Sequence, residues 1–320
     1  MDTGSHILFG VTLGVLATQN SVIASHDGLS VALMAATIIG SNAPDFDSIV
    51  RLSSKDNYLK HHRGITHSLP ALCVWPFLIS LPLADVLDVW SHFSSLLFFS
   101  CIAVIFHVLL DWFNAYGVQC FRPLTKKWQH LDVLPIFDPF LFTLHCTGLL
   151  IWQLGWFSGS SVFMVIYCIT FGYLAIRLWA HKKVIRRMKE NLRIPGDYMA
   201  IPTLHWFKWQ FIVETEETYY TGNVTYNHME IKDMYRKPTY DEFIEASKGV
   251  DGVRSFILFA SKIHVKLMKV QEGYEVQWRD VRFWHNHKLP YGINVTLDEQ
   301  MNVTKTEIGW TKKSWDPPYV

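Results

Sequence analysis

A chain of 320 residues, half of them hydrophobic, is long enough for two ordinary domains, and its net charge of +1 conceals a sharp division of character. Residues 1–193 are dominated by apolar runs, whereas residues 194–320 are polar, aromatic and turn-rich. The second part carries 15 Lys/Arg against 17 Asp/Glu, which excludes the basic footprint of a nucleic-acid reader.

The N-terminus has no Lys or Arg before Arg51, and Asp2 precedes its apolar run, so a cleaved secretory signal fits poorly. Six apolar segments follow at about 7–24, 29–43, 69–87, 94–113, 137–157 and 160–180. A helix needs roughly 20 residues to cross the hydrocarbon core, and several of these are marginal, so four to six spans are expected, with six favoured. Charge placement favours six. Residues 51–67, 117–135 and 181–193 hold 4, 3 and 6 Lys/Arg, while the turns at 25–28, 88–93 and 155–159 hold none. The positive-inside rule then makes the N-terminus, the three basic loops and the whole tail cytoplasmic, on a multi-pass plasma-membrane protein. The five cysteines are widely spaced without a C-x-x-C and read as reduced core or lipid-facing residues.

The tail, 194–320, reads as a separate, mostly β domain. Alternation over Trp206 to Val213, a Thr221-Gly222-Asn223 turn and Val224 onward predict an opening hairpin. Thr239 with Glu242 three residues on predicts a capped short helix to about Lys248. Strands are expected near 253–260, 263–270, 274–283, 291–297 and 303–309, with a polar turn at Asp298 to Asn302.

The chemistry is concentrated in His61-His62-Arg63-Gly64-Ile65-Thr66-His67-Ser68, a dense polar stretch between two long apolar segments. His62 and His67 flank Gly64, which suits a bend turning both rings inward. Neutral imidazole is the commonest metal ligand, and Arg63 suits two-pronged binding of an anionic oxygen. A basic loop on anionic headgroups is the plainer alternative. His107 and Asp111 share a helix face at i and i+4 inside an apolar run, where ionisable groups are costly and usually face a functional cavity. Alone they suit a structural hydrogen bond equally well. Asp45 and Asp47 follow Pro44 at the end of the second segment and either reach a cation together or stop and cap helices. His6 opens the first segment. On the six-span topology all these residues fall at one cytoplasmic face. Asp138 before Pro139 is a further, weak site candidate that suits a helix cap equally well, and His130, Asp132, His145 and His181 read as interface or structural residues. His285 and His287 read as structural, alternating on one strand face without a carboxylate nearby in sequence.

Met1-Asp2-Thr3 with His6, Pro44-Asp45-x-Asp47, His62-Arg63-Gly64-x-Thr66-His67-Ser68, His107-x-x-x-Asp111 and Asp138-Pro139 resemble the YdjM/YfhP family of bacterial membrane-bound metal-dependent hydrolases, over roughly residues 1–145. The tail looks like that of the YfhP branch. More distantly, the order His6, Asp45, a His near 62, His107 and Asp111 is similar to the ligand order of the zinc-dependent phospholipase C and P1 nuclease superfamily, which hydrolyses phosphodiesters with a zinc cluster. Members of that superfamily begin with a Trp whose amine is a ligand, whereas this chain begins Met1-Asp2.

The expectation is an α-helical integral membrane domain over 1–193 followed by a mostly β cytoplasmic domain over 194–320. Its function is expected to be that of a membrane-bound metal-dependent hydrolase acting on a phosphoester, with a lipid-linked substrate as the further step. His6, Asp45, His62, His67, His107 and Asp111 are the expected ligands, Asp47 a ligand or general base, and Arg63 an anion clamp. Mixed His/Asp ligation without cysteine suits one to three divalent ions, zinc first and manganese or iron next. Expected partners are membrane lipids and a cytoplasmic protein bound through 194–320, with no nucleic acid. The rival reading is a non-catalytic membrane regulator that influences transcription indirectly through its tail. A transporter relaying protons through His107 and Asp111 is disfavoured, since paired broken helices and repeats are not seen in the sequence.

Overall fold

The computed structural model describes residues 1–18, 27–52, 63–226, 228–271 and 273–310. The chain divides into two compact units, one made of Met1–Ser48 and His62–Ala180 and the other of Ile49–His61 and His181–Val320.

The apolar segments of the first unit are helices: α1 (Thr3–Thr18), α2 (Asp27–Gly40), α3 (Leu69–Val86), α4 (Phe93–Trp112), α5 (Pro139–Gln153) and α6 (Gly159–Leu192). Leu69–Val86, Trp90–Trp112 and Gly159–Leu192 are long and apolar enough to cross a membrane. As described, α1, α2 and α5 have 16, 14 and 15 residues, short of the roughly 20 that a full crossing needs. Helix length thus supports three of the six favoured spans. The five cysteines are free, and Cys73, Cys146 and Cys168 are exposed on α3, α5 and α6.

Small residues set the spacing at the heart of this unit. A Cβ on Gly10 would stand 2.8 Å from Cα of Ile38, and one on Gly14 would stand 2.5 Å from Sδ of Met34. Glycines four apart on α1 therefore let α2 approach at backbone distance, the packing mode favoured where hydrophobic burial cannot discriminate helix from lipid. Gly40 does the same against α4, where an added Cβ would lie 2.9 Å from Cβ of Ala103. Phe9 and Leu13 bury against Phe106, Leu110, Leu141 and Phe163, and Leu29 and Leu33 against Ile79, Leu96 and Val104.

Loops then pin the ends. After α2, Asn42 Nδ2 donates to Ile38 O at 2.9 Å, and a 3-10 stretch (Ala43–Leu52) carries Asp45 and Asp47. Gln119 N donates to Arg63 O at 3.0 Å and Leu69 N to Arg122 O at 3.2 Å, so the segment after α4 braces the Arg63–Ser68 stretch. Asp138 caps α5, accepting from Leu141 N at 3.0 Å through Oδ1 and from the Tyr173 hydroxyl at 2.7 Å through Oδ2, with Pro139 in the first turn. Both its oxygens serve the fold.

The second unit contains two four-stranded antiparallel sheets with consecutive strand order: β1 (Asp197–Pro202), β2 (Trp209–Glu214), β3 (Thr218–Val224) and β4 (Met229–Arg236); then β5 (Ile263–Val270), β6 (Gly273–Asp280), β7 (Tyr291–Leu297) and β8 (Val303–Trp310). Between the sheets lie α7 (Glu242–Ser247) and α8 (Asp251–Phe259).

Four local expectations are corrected. Thr221-Gly222-Asn223 is not a turn but the middle of β3, with a register shift at Thr221/Gly222. There a Cβ on Gly222 would stand 2.0 Å from Glu230 O, so glycine marks close strand approach. Residues 253–260 form most of α8 instead of a strand. Val253, Phe256 and Phe259 recur at helical spacing on its buried side, a run too short for periodicity to separate the two states. The cap of α7 is Asp241, not Thr239: its carboxylate accepts from Phe243 N at 2.9 Å and Ile244 N at 3.3 Å. The expected strand over 274–283 ends at Asp280, where a buried Asp280–Arg282 pair closes at 2.6 Å.

Candidate metal centre

The N-terminal end of α1, the residues after α2, the Arg63–Ser68 stretch and the C-terminal end of α4 meet at one point. His6, Asp45, His107 and Asp111 each bring a ligand atom within 4.8 Å of the others. His67 completes a tighter set. Its Nε2 lies 3.3 Å from His107 Nε2, 3.4 Å from Asp45 Oδ1 and 3.4 Å from Asp111 Oδ2. His107 Nε2 in turn lies 3.7 Å from Asp45 Oδ1 and 3.5 Å from Asp111 Oδ2. Five of the six edges of a four-donor figure therefore measure 3.3–3.7 Å. Donors about 2.1 Å from a tetrahedral zinc stand about 3.4 Å apart, so the spacing fits that ion. His6 stacks on His107 with ring centroids 3.9 Å apart, and its Nε2 is 3.5 Å from Asp111 Oδ1, which makes Asp111 the carboxylate common to both groups.

Hydrogen bonds on the outer side of two rings decide what faces inward. Nδ1 of His107 lies 2.7 Å from Ser41 O, and a carbonyl only accepts, so that nitrogen carries the proton. The Thr66 hydroxyl donates its single proton to Asp47 Oδ2 at 2.5 Å and can only accept from His67 Nδ1 at 3.0 Å. As neutral rings, both turn bare Nε2 lone pairs toward each other and toward two carboxylates. His6 Nε2, Asp45 Oδ1 and Asp111 Oδ2 are buried without a hydrogen-bond partner. Each such atom costs about 1–3 kcal/mol when left unsatisfied, and one added proton serves only one or two acceptors. Convergent acceptors lacking donors call for a cation.

Around the centre the chain supplies positive charge and bracing. Arg63 Nη2 is 3.1 Å from Asp111 Oδ1, Arg63 Nη1 donates to Asn114 Oδ1 at 3.3 Å, and the Met1 ammonium lies against Asp111 Oδ1. The backbone turns at Arg63 itself, whose φ is +59°, not at Gly64, where the bend was expected. Non-glycine residues rarely adopt that conformation, so the turn is strained in favour of the site. Asp47 stands one layer back: its Oδ2 accepts from Thr66 and, at 2.9 Å, from Arg63 N. His62 lies outside the described residues.

Sequence reasoning assigned no role to Thr66, Ser41, Asn114 or the Met1 amine. Asn114, seven after His107, could have been found by extending the helix face one turn; a backbone carbonyl such as Ser41 O leaves no sequence signal. Of the histidines read as interface or structural residues, His130 meets Asp132 Oδ1, His145 meets Thr12 and Thr170, and His181 meets Ala200 O; the pair in the tail needs one correction. His285 and His287 are not on a strand face; His287 is at a positive-φ position, and its Nδ1 meets Asp233 of β4 at 2.8 Å, a carboxylate distant in sequence.

A helical unit built for a membrane, with a buried His/Asp centre at one end and a second unit of two antiparallel sheets, is the class that fold and site define. Residues 1–184 match the family described as YdjM inner membrane protein, and the chain belongs to it. Residues 242–316 match the YfhP C-terminal alpha/beta plait domain. The chain is 32% identical over 319 residues to "Uncharacterized protein YfhP" of Bacillus subtilis (strain 168), covering 97% of this chain and 95% of that protein. No solved structure matches. The family expected from the motif residues is the one found.

Proposed function

We propose that the first unit is a metal-dependent hydrolase acting on a phosphoester at the cytoplasmic face of the membrane. The observation that carries this reading is the tetrahedral spacing of His67, His107, Asp45 and Asp111, with both imidazole lone pairs turned inward by Thr66 and Ser41. Two carboxylates and neutral imidazoles without thiolate suit zinc, then manganese or iron. Such an ion, when bound, supplies a Lewis acid that activates water and polarises a phosphoryl oxygen. The chain's own part is to hold the donors and manage protons. Asp45 is the ligand carboxylate whose side chain reaches solvent, at 18% exposure, and is the one placed to pass a proton outward. Arg63 pairs with Asp111 and donates to Asn114, so a substrate anion must compete with both for its guanidinium. Asp47 acts through Thr66 on His67.

The distribution of Lys and Arg supports a multi-pass arrangement with the site and tail in the cytoplasm. A centre at the end of membrane helices, next to exposed Phe46 and Ile65, favours a lipid-linked phosphoester. The test is metal content by mass spectrometry of detergent-purified wild type, Asp45→Ala and His107→Ala, with phosphate release from lipid phosphomonoester vesicles and from a water-soluble phosphoester. Metal bound in wild type and lost from both variants is expected, with the lipid substrate preferred. Unchanged metal in both variants removes the ligand assignment.

A further inference from the structure

The first sheet of the second unit returns along α6. The Tyr198 hydroxyl donates to Ile194 O at 2.7 Å and accepts from Ile194 N at 3.1 Å, just beyond the end of the helix. Two residues later in β1, Ala200 O accepts from His181 Nε2 at 3.1 Å, and the His181 ring lies 5.5 Å from that of Trp209 in β2. The strand therefore runs back along this part of the helix to His181, the residue that follows the last apolar run, 160–180, in sequence. The β1–β2 turn, 203–208, follows directly on Pro202.

That turn is ordered and presents aromatic rings outward. The Thr203 hydroxyl donates to Lys208 O at 2.7 Å, and Lys208 N donates to His205 O at 3.1 Å. Held this way, Phe207 is 73% exposed and Trp206 43%. The β3–β4 turn at the same end of the sheet adds exposed Tyr226, and its Thr225 O accepts from Arg187 Nη1 at 2.8 Å. Lys182, Lys183, Arg186 and Lys208 are exposed around this end. The nearest carboxylate on β4, Glu230, is held by Lys232 at 2.6 Å. The opposite end is mixed in charge, with Glu216 and Glu217 exposed in the β2–β3 turn and Glu214 paired with Lys237 and Lys262. Exposed aromatics ringed by Lys and Arg match the interface of an anionic bilayer.

We propose that residues 203–208 form a membrane-docking turn. Trp206 and Phe207 enter the interfacial layer of the bilayer that α6 leaves at His181, and Lys208, Lys182, Lys183 and Arg186 meet lipid phosphates. This stands independently of the metal site. The test uses the full chain in vesicles of phosphatidylethanolamine and phosphatidylglycerol, with Phe207→p-benzoylphenylalanine as photo-crosslinker. Phe98, exposed on α4, is the lipid-facing control position; exposed Tyr240, beyond β4 at the opposite end of the sheet where Lys237 N meets Glu217 O, is the distant one. Lipid adducts at 98 and 207 but not at 240 are expected, with a several-fold drop at 207 when phosphatidylcholine replaces phosphatidylglycerol. Lipid adducts at 98 alone, equal adducts at 207 and 240, or a protein adduct at 207 in place of lipid would each overturn the proposal.

Discussion

Two buried histidine clusters sit in the same helical unit and end differently. At the first, His145 on α5 lies 2.9 Å from Thr12 Oγ1 through Nδ1 and 3.0 Å from Thr170 Oγ1 through Nε2. Thr170 donates onward to Ile166 O at 2.9 Å and the Tyr167 hydroxyl to Phe9 O at 3.1 Å, so hydrogens and lone pairs match along the chain of partners. No carboxylate takes part. At the second, His6, His67 and His107 meet Asp45 and Asp111 with acceptors outnumbering protons, and three atoms are left unsatisfied. Burial of a histidine is therefore silent about function; the balance of donors and acceptors around it is what separates a helix clasp from a cation site.

The strongest attack on that comparison is Asp111→Ala. It removes the carboxylate facing His67, His107, His6, Arg63 and the Met1 ammonium. Bound metal should fall to background, and stability by about 3–5 kcal/mol because buried positive charge loses its partner. Metal analysis and a thermal unfolding midpoint on the same preparation check both. Next comes Thr66→Val, which leaves every ligand atom in place but frees the His67 tautomer. Zinc affinity, titrated against a competing chelator, should drop roughly 10–100-fold, and Thr66→Ser should restore it. Equal affinities for Val and wild type would show that the hydroxyl does not orient the ring. Chelation of the wild type should speed amide exchange in 41–47 and 63–68 while leaving the peptides around His145 unchanged; uniform loosening would erase the distinction between the clusters. The smallest effect on metal is expected from His145→Phe: no change in metal content, and a stability cost of about 1–3 kcal/mol from Thr12 and Thr170 losing a partner.

Much of the fold was legible because periodicity and run length report burial directly. Each of the six apolar segments is helical over its described residues, and four of the five strands expected from residue 253 onward are found, β5 at 263–270 and β7 at 291–297 among them. Failures cluster where local signals are ambiguous. Gly222 looks like a turn residue, but two backbones crowd it; Val253 to Phe259 suit either period over so short a run. At the site, the ionisable residues within apolar segments could be picked out since their burial needs a reason. Asp138, before Pro139, read equally as a weak site candidate and as a helix cap, and folding makes it the cap.

Residue type and spacing alone told that this chain is a membrane protein of its family, divided into an apolar helical part and a polar β part, and which imidazoles and carboxylates were worth watching. Folding alone decided which nitrogen of each ring faces inward, that Asp47 braces while Asp45 and Asp111 converge, and that the turn's strain falls on Arg63 rather than Gly64. The reason is that composition and periodicity are properties of neighbours along the chain. Hydrogen-bond direction is a property of neighbours in space, set here by a carbonyl at Ser41 and a hydroxyl at Thr66 that no pattern in the sequence marks.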